Sequence, residues 1–213
     1  SEKLLVRLVT GGLYLVLFTP LFFYQSAITP FIMPKVFVFQ ALVAVLAALW
    51  AVLALNYPAY RPKRTAIATA LGALLLVLGV SALLGVDPAR SFWSTQERGI
   101  GIFALLNFAA YFLVLSNMRS KFSWRAYFSV SLLVSVIAGA FAIIQLSHPG
   151  FFFEGSLWGR RPGSFFGNPT FLAAYLLFHV FLALWLASER FRDRSPNHSP
   201  LWFGALYGAT AAF

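Results

Sequence analysis

The chain has 213 residues, of which 60% are hydrophobic, 18% aromatic and 10% charged, with 24 Phe and no Cys. An average soluble domain carries about 25% charged residues, so a water-soluble fold has no interior place for this much apolar surface. The same composition excludes disorder, collagen-like repeats, a disulfide scaffold and thiol chemistry.

The net charge of +10 does not mark a nucleic-acid binder, because the basic residues punctuate apolar segments instead of forming one stripe. The pattern reads as an integral membrane protein: all-α, polytopic and a single transmembrane domain over residues 1–213. Crossing roughly 30 Å of hydrocarbon takes about 20 helical residues. Six apolar stretches meet or approach that length, at 4–23, 34–55, 65–84, 100–118, 127–146 and 169–187. They predict six complete transmembrane helices. Continuous runs of this kind do not fit the alternation of membrane strands, and no cleavage site follows the first as a signal peptide requires.

A seventh helix is expected to start at 201. Residues 201–213 would rise about 20 Å, so the helix is expected to continue beyond residue 213, a re-entrant segment being the alternative. With Ser at position 1 instead of Met, the chain reads as an amino-terminal fragment of a longer protein, trimmed or processed at its start.

Basic residues give an orientation. Lys3, Arg7, Arg61, Lys63, Arg64, Arg119, Lys121, Arg125, Arg190, Arg192 and Arg194 fall on one side of the expected membrane. Lys35, Arg90, Arg98, Arg160 and Arg161 fall on the other. Eleven against five places the amino terminus in the cytoplasm and loops 24–34, 85–99 and 147–168 outside, which in a bacterial inner membrane means the periplasm. Trp50, Trp124, Trp185 and Trp202 lie near the expected inner interface, Trp93 and Trp158 near the outer one.

Caps are legible at Asp87-Pro88, Asn168-Pro169 and Ser199-Pro200. Ser94 to Glu97 fits a capping box, which predicts that the fourth helix starts near Thr95. Gly11, Gly12, Gly72 and Gly79 offer close packing between helices.

The outer arginines are the candidate functional residues, since orientation bias disfavours them there. Arg90 and Arg98 bracket the segment 90–98, and Arg160 and Arg161 precede the sixth helix. Arg98 is expected in the first turn of the fourth helix, where a cation opposes the helix dipole unless Glu97, Glu154 or an anionic ligand offsets it. Asn168 opens the sixth helix, whose free N–H groups could face the anion that Arg161 contacts. Fork-shaped guanidiniums, helix-end N–H groups and the turn from Gly163 to Gly167 suit a phosphate or diphosphate. Structural ion pairs with Asp87, Glu97 and Glu154 are the competing account.

Gln40, Asn107 and His179 lie inside spans and fit interhelical hydrogen bonds. His148, near the outer end of the fifth helix, could act as a base, but nothing local orients it. His198 falls on the cytoplasmic side with no spaced partner, and the three His lie at different expected depths, against a metal site.

These segments resemble the amino-terminal half of the O-antigen ligase and polymerase superfamily of bacterial envelope glycosyltransferases. The resemblance begins at Pro34-Lys35-Val36-Phe37 and continues through Gly85-Val86-Asp87-Pro88 and Ser91-Phe92-Trp93-Ser94-Thr95-Gln96-Glu97-Arg98. It is strongest at Arg161-Pro162-Gly163-Ser164-Phe165-Phe166-Gly167-Asn168-Pro169, followed by Leu172-Ala173-Ala174-Tyr175. Thr170 departs from it, standing where many relatives carry a second Asn.

The resemblance implies glycan transfer from an undecaprenyl-diphosphate carrier to an acceptor such as the lipid A core, another carrier-linked unit or a protein hydroxyl. It implies no cofactor or metal, and membrane lipids as surroundings. Arg98 and Arg161 would contact the donor diphosphate together, with Arg160 and Arg90 less closely matched. The histidine proposed as the family's base lies in a later periplasmic loop, and none of His148, His179 or His198 matches it. These residues therefore hold the donor half of a site. Binding or transport of a polyprenyl-linked glycan, or of another anionic lipid, is the alternative function.

Overall fold

The computed structural model describes residues 1–95, 100–118, 120–121, 123–148, 157–158 and 161–192. Its helices are α1 (Glu2–Val16), α2 (Met33–Asn56), α3 (Ala66–Leu83), α4 (Pro88–Trp93), α5 (Ile102–Met118), α6 (Trp124–Ser147) and α7 (Pro169–Arg192). Strands β1 (Leu157–Trp158) and β2 (Arg161–Pro162) pair antiparallel, Trp158 opposite Arg161. The all-α expectation holds, and the expected helix at 201–213 lies outside the described residues.

Side-chain caps open several helices, each supplying an acceptor to an N–H that has no partner within the helix. Thr65 Oγ1 accepts from Ala68 N at 3.2 Å, Ser123 Oγ from Ala126 N at 3.3 Å and Asp87 Oδ1 from Arg90 N at 2.9 Å. Among the described residues, four helices are long and apolar enough to cross a membrane: α2, α3, α6 and α7. The first expected span ends early. Pro20 has no N–H to give the Val16 carbonyl, and the Thr19 hydroxyl takes that acceptor instead at 2.8 Å. The 15 residues of α1 therefore rise about 22 Å.

The fourth span also departs from expectation. Ser94 does not cap it. Ser94 closes α4, with φ 70° and its N–H donating to Arg90 O at 2.7 Å, and α5 begins only at Ile102. The start expected near Thr95 thus moves to Ile102, and Arg98, expected in its first turn, lies outside the described residues. Gly101 is why the chain can turn here: a Cβ on it would overlap Phe92 O and lie 2.8 Å from Ser94 N.

The chain forms two compact units, Ser1–Thr19 with Ser26–Phe122, and Pro20–Gln25 with Ser123–Phe213. In the first, α2 packs on α1 and α5, and α5 also holds α3 and α4. Val9, Leu13 and Val16 bury themselves with Val43, Leu46 and Leu53. Leu46 sits over Gly12, while nothing lies within 4 Å of a Cβ built at Gly11, Gly72 or Gly79, so of the four glycines only Gly12 serves close packing here. The amino terminus is tied down by the buried Tyr60, whose hydroxyl donates to Glu2 Oε1 at 2.8 Å beneath Lys121 Nζ. Burial, then the bond to Glu2, pushes this phenol above its ordinary pKa. The amino end of α1, the α2–α3 turn and the carboxyl end of α5 thus share one end of the unit.

In the second unit α6 and α7 run antiparallel, Ala142 beside Leu172 at one end and Leu132 beside Ala183 and Leu186 toward the other. Trp185 meets Phe128 edge-on, and Arg125 pairs with Glu189 at 3.7 Å.

The helices expose what a soluble protein hides. On α3, Leu74, Leu76, Val77, Val80 and Leu83 are 49–75% exposed, and no residue of that helix is buried. Burial of one such side chain is worth about 1.5–3 kcal/mol. Five of them approach the roughly 5–15 kcal/mol that hold a whole domain together, and only hydrocarbon surroundings remove that cost. Gly101→Ala should destabilise the purified protein by about 1–3 kcal/mol, while Gly72→Ala should not lower its thermal midpoint in detergent. Equal midpoints for the two variants would show that the backbone contact at Gly101 yields freely.

Candidate functional site

The segment Gly163 to Gly167 is held against α6 by Ser164. Its hydroxyl donates to the Ala138 carbonyl at 2.6 Å and its N–H to Gln145 Oε1 at 2.8 Å. Ser164 is fully buried and Gln145 is 1% exposed. Phe165 then packs on Phe141 and Phe23, and Phe166 on Tyr175. Gly167, at φ 65°, reverses the chain into α7.

This anchoring places Arg161 at the edge of an open groove of about 450 Å³ between α6 and α7. Ala142, Ile143 and Leu146 form one wall; Leu172, Ala173, Leu176, Leu177 and Val180 form the other, with Pro162 and Pro169 at the Arg161 end. Ile143, Leu146 and Leu177 are each more than half exposed, so the groove opens sideways along the helices. Among the described residues lining it, Arg161 carries the charge. A trough of aliphatic carbon bordered by an arginine suits a hydrocarbon chain with an acidic head.

Asn168 has the capping role expected of a short acceptor before Pro169. Its Oδ1 accepts from Thr170 N at 2.8 Å, so the side chain caps α7. Pro169 has no N–H, and the Leu172 N–H is bonded to Asn168 O at 3.1 Å. Of the first turn, the Phe171 N–H remains. The helix start therefore offers an anion less than its position suggested, and the guanidinium is the stronger feature.

Arg90 lies in the first unit. It borders a polar concavity of about 950 Å³ with Val86, Asp87, Ser91, Ser94, Thr95 and Ile100. Asp87 caps α4 there through the Arg90 N–H. Arg98 and Arg160 lie outside the described residues, as do Glu97 and Glu154, and the expected meeting of Arg98 with Arg161 lies there with them.

His179 bridges helices, as its place in a span suggested. Nδ1 faces Tyr175 O at 2.8 Å, and Nε2 faces Ser131 Oγ at 2.9 Å. A carbonyl can only accept, which assigns the proton to Nδ1 and makes Nε2 the acceptor of the Ser131 hydroxyl. Asn107 Nδ2 donates to Phe103 O at 2.8 Å.

Sequence reading passed over Gln145 and Ser164. Gln145 carried a usable signal, a polar side chain in an apolar run like Gln40 and Asn107. Ser164 did not, since a serine between two glycines reads as turn chemistry.

Fold and groove together define a helical, membrane-embedded protein with an amphipathic trough between two of its long helices. Compared with protein-family models, with curated proteins and with solved structures, the chain finds no match.

Asn168→Ala should cost about 1 kcal/mol through loss of the α7 cap, and Asn168→Asp should retain it. Thermal unfolding in detergent reads the difference; a harmless Ala variant would remove the cap from the account of α7.

Proposed function

We propose that this protein belongs to a bacterial inner-membrane system that transfers glycan from an undecaprenyl-diphosphate carrier to an acceptor such as the lipid A core, at the periplasmic face. The single observation that supports it is the α6–α7 groove, with aliphatic walls for a polyprenyl tail and Arg161 at the end where a diphosphate would sit. The same motif, Arg161 to Pro169, carries the resemblance to the O-antigen ligase and polymerase superfamily. In such a transfer the bond from the sugar's anomeric carbon to a diphosphate oxygen breaks, and a bond to an acceptor hydroxyl oxygen forms. The hydroxyl proton passes to a base, which the resemblance places in a later loop. Charge collects on the departing diphosphate. A fixed guanidinium offsets part of that charge. Arg160 adds charge beside Arg161 in sequence, while Arg90 and Arg98 enter the proposal through their place on the outer side and through the resemblance.

The topology proposed with it has six crossings and a cytoplasmic amino terminus. It rests on the eleven-to-five division of basic residues. Local thinning of the bilayer and snorkelling of flanking residues would accommodate α1 and α5, which are shorter than the others.

Single Cys residues at positions 61 and 90, at opposite ends of α3, test the topology. Position 61 should react with an impermeant thiol reagent only after the cells are opened, and position 90 in intact spheroplasts. Labelling of both from one side would overturn it.

Arg161→Ala should weaken binding of undecaprenyl diphosphate at least tenfold with the helices intact by circular dichroism. Arg161→Lys should recover part of the loss, keeping the charge and losing the fork. Affinity unchanged in the Ala variant would remove the donor site from this groove.

A further inference from the structure

Resting on the reading of the α6–α7 groove as a lipid-diphosphate site, we infer that Gln145 and Ser164 are positioning residues that set its preference for an anionic head, by fixing the strand that carries Arg161. Strands β1 and β2 have two residues each. An isolated two-stranded hairpin is marginal even when longer, so the pairing of Trp158 with Arg161 cannot alone hold a guanidinium in place. The next fixed point along the chain is Ser164. Three residues of extended chain span at most about 11 Å, so a tie at Ser164 confines Arg161 to a short arc over the groove. Two buried hydrogen bonds make that tie, from the Ser164 hydroxyl to Ala138 O and from its N–H to Gln145 Oε1.

Backbone geometry singles out the same residue. Ser164 has φ 46°, a conformation that glycine adopts freely and a side chain does not. Glycine would relieve the strain, and the hydroxyl bond to α6 is what serine contributes in exchange. Gln145 lies on the helix whose Ala142, Ile143 and Leu146 wall the groove. The tie therefore fixes Arg161 relative to the wall itself. A tie that merely held α7 in place would affect every lipid equally. One that positions Arg161 affects only lipids with a charged head.

The test uses the full chain in phosphatidylcholine nanodiscs, titrated with undecaprenyl diphosphate and separately with neutral undecaprenol. The parent should prefer the diphosphate at least tenfold, and Arg161→Ala should abolish the preference. Gln145→Met, which removes the amide acceptor at similar size, should reduce the preference at least fivefold and change undecaprenol affinity less than twofold. In the Arg161→Ala background it should do nothing further. Ser164→Gly keeps the backbone conformation and loses the hydroxyl; it should show the same pattern, and it decides the matter if Gln145→Met does not fold.

Full preference retained in both single variants, or equal loss of both lipids, would overturn the positioning role while Arg161→Ala still leaves the groove reading in place. An Arg161→Ala variant that keeps the parent's preference, or a parent that shows none, would overturn the groove reading and this inference with it.

Discussion

A backbone or side-chain polar group in hydrocarbon has no water to bond, and everything else in this protein is arranged around that constraint. Inside the long helices the backbone satisfies itself. Where a helix is interrupted, a side chain steps in: the Thr19 hydroxyl takes the carbonyl that Pro20 leaves, and Thr65, Asp87, Ser123 and Asn168 take first-turn N–H groups. Asn107 and His179, within the spans, follow the same rule. Asn107 returns to Phe103, and His179 closes onto both Tyr175 and Ser131. Thr10 Oγ1, Thr29 Oγ1 and Trp50 Nε1 are buried without a partner among the described residues.

The constraint explains why residues 163–167, just before α7, are so heavily fixed. A non-helical segment lying against spanning helices must hand its polar groups to the protein. Ser164 does so with its hydroxyl and its N–H, and Phe165 and Phe166 surround those bonds with ring carbon. One consequence is chemical. Once the loop is pinned on α6, the space left between α6 and α7 beside it is aliphatic, and Arg161 stands at its end. The amphipathic trough is thus a by-product of how the loop satisfies its backbone.

Apolar surface plays opposite parts in the two units. In the first, α3 exposes most of its residues and contributes no buried one, so hydrocarbon contact outweighs packing there. In the second, α6 buries eight residues, and its small ones, Ser135, Ala138, Gly139 and Ala142, let the neighbouring loop and helix approach closely. The helix that anchors a loop therefore needs a small-residue face, which the lipid-facing one does not.

Membrane class, helix content and most helix positions were legible from composition and run length, because continuous apolar stretches admit one structure in hydrocarbon. The caps at Asp87 and Asn168 were legible too, since a short acceptor before proline is a local instruction. Three things were not. The start of α5 was misread because Ser94 to Glu97 fits a capping box, while the turn is decided by Gly101 meeting the Phe92–Ser94 backbone across α4. How few N–H groups the start of α7 leaves for an anion depends on the bonds already made to Asn168, from Thr170 N to its side chain and from Leu172 N to its carbonyl. The tie of Ser164 to Gln145 and Ala138 joins residues 19 and 26 positions apart, a separation at which neither periodicity nor spacing carries information. Sequence decides what can lie in the membrane and where a helix can begin; only packing between helices decides which polar atoms remain for a ligand.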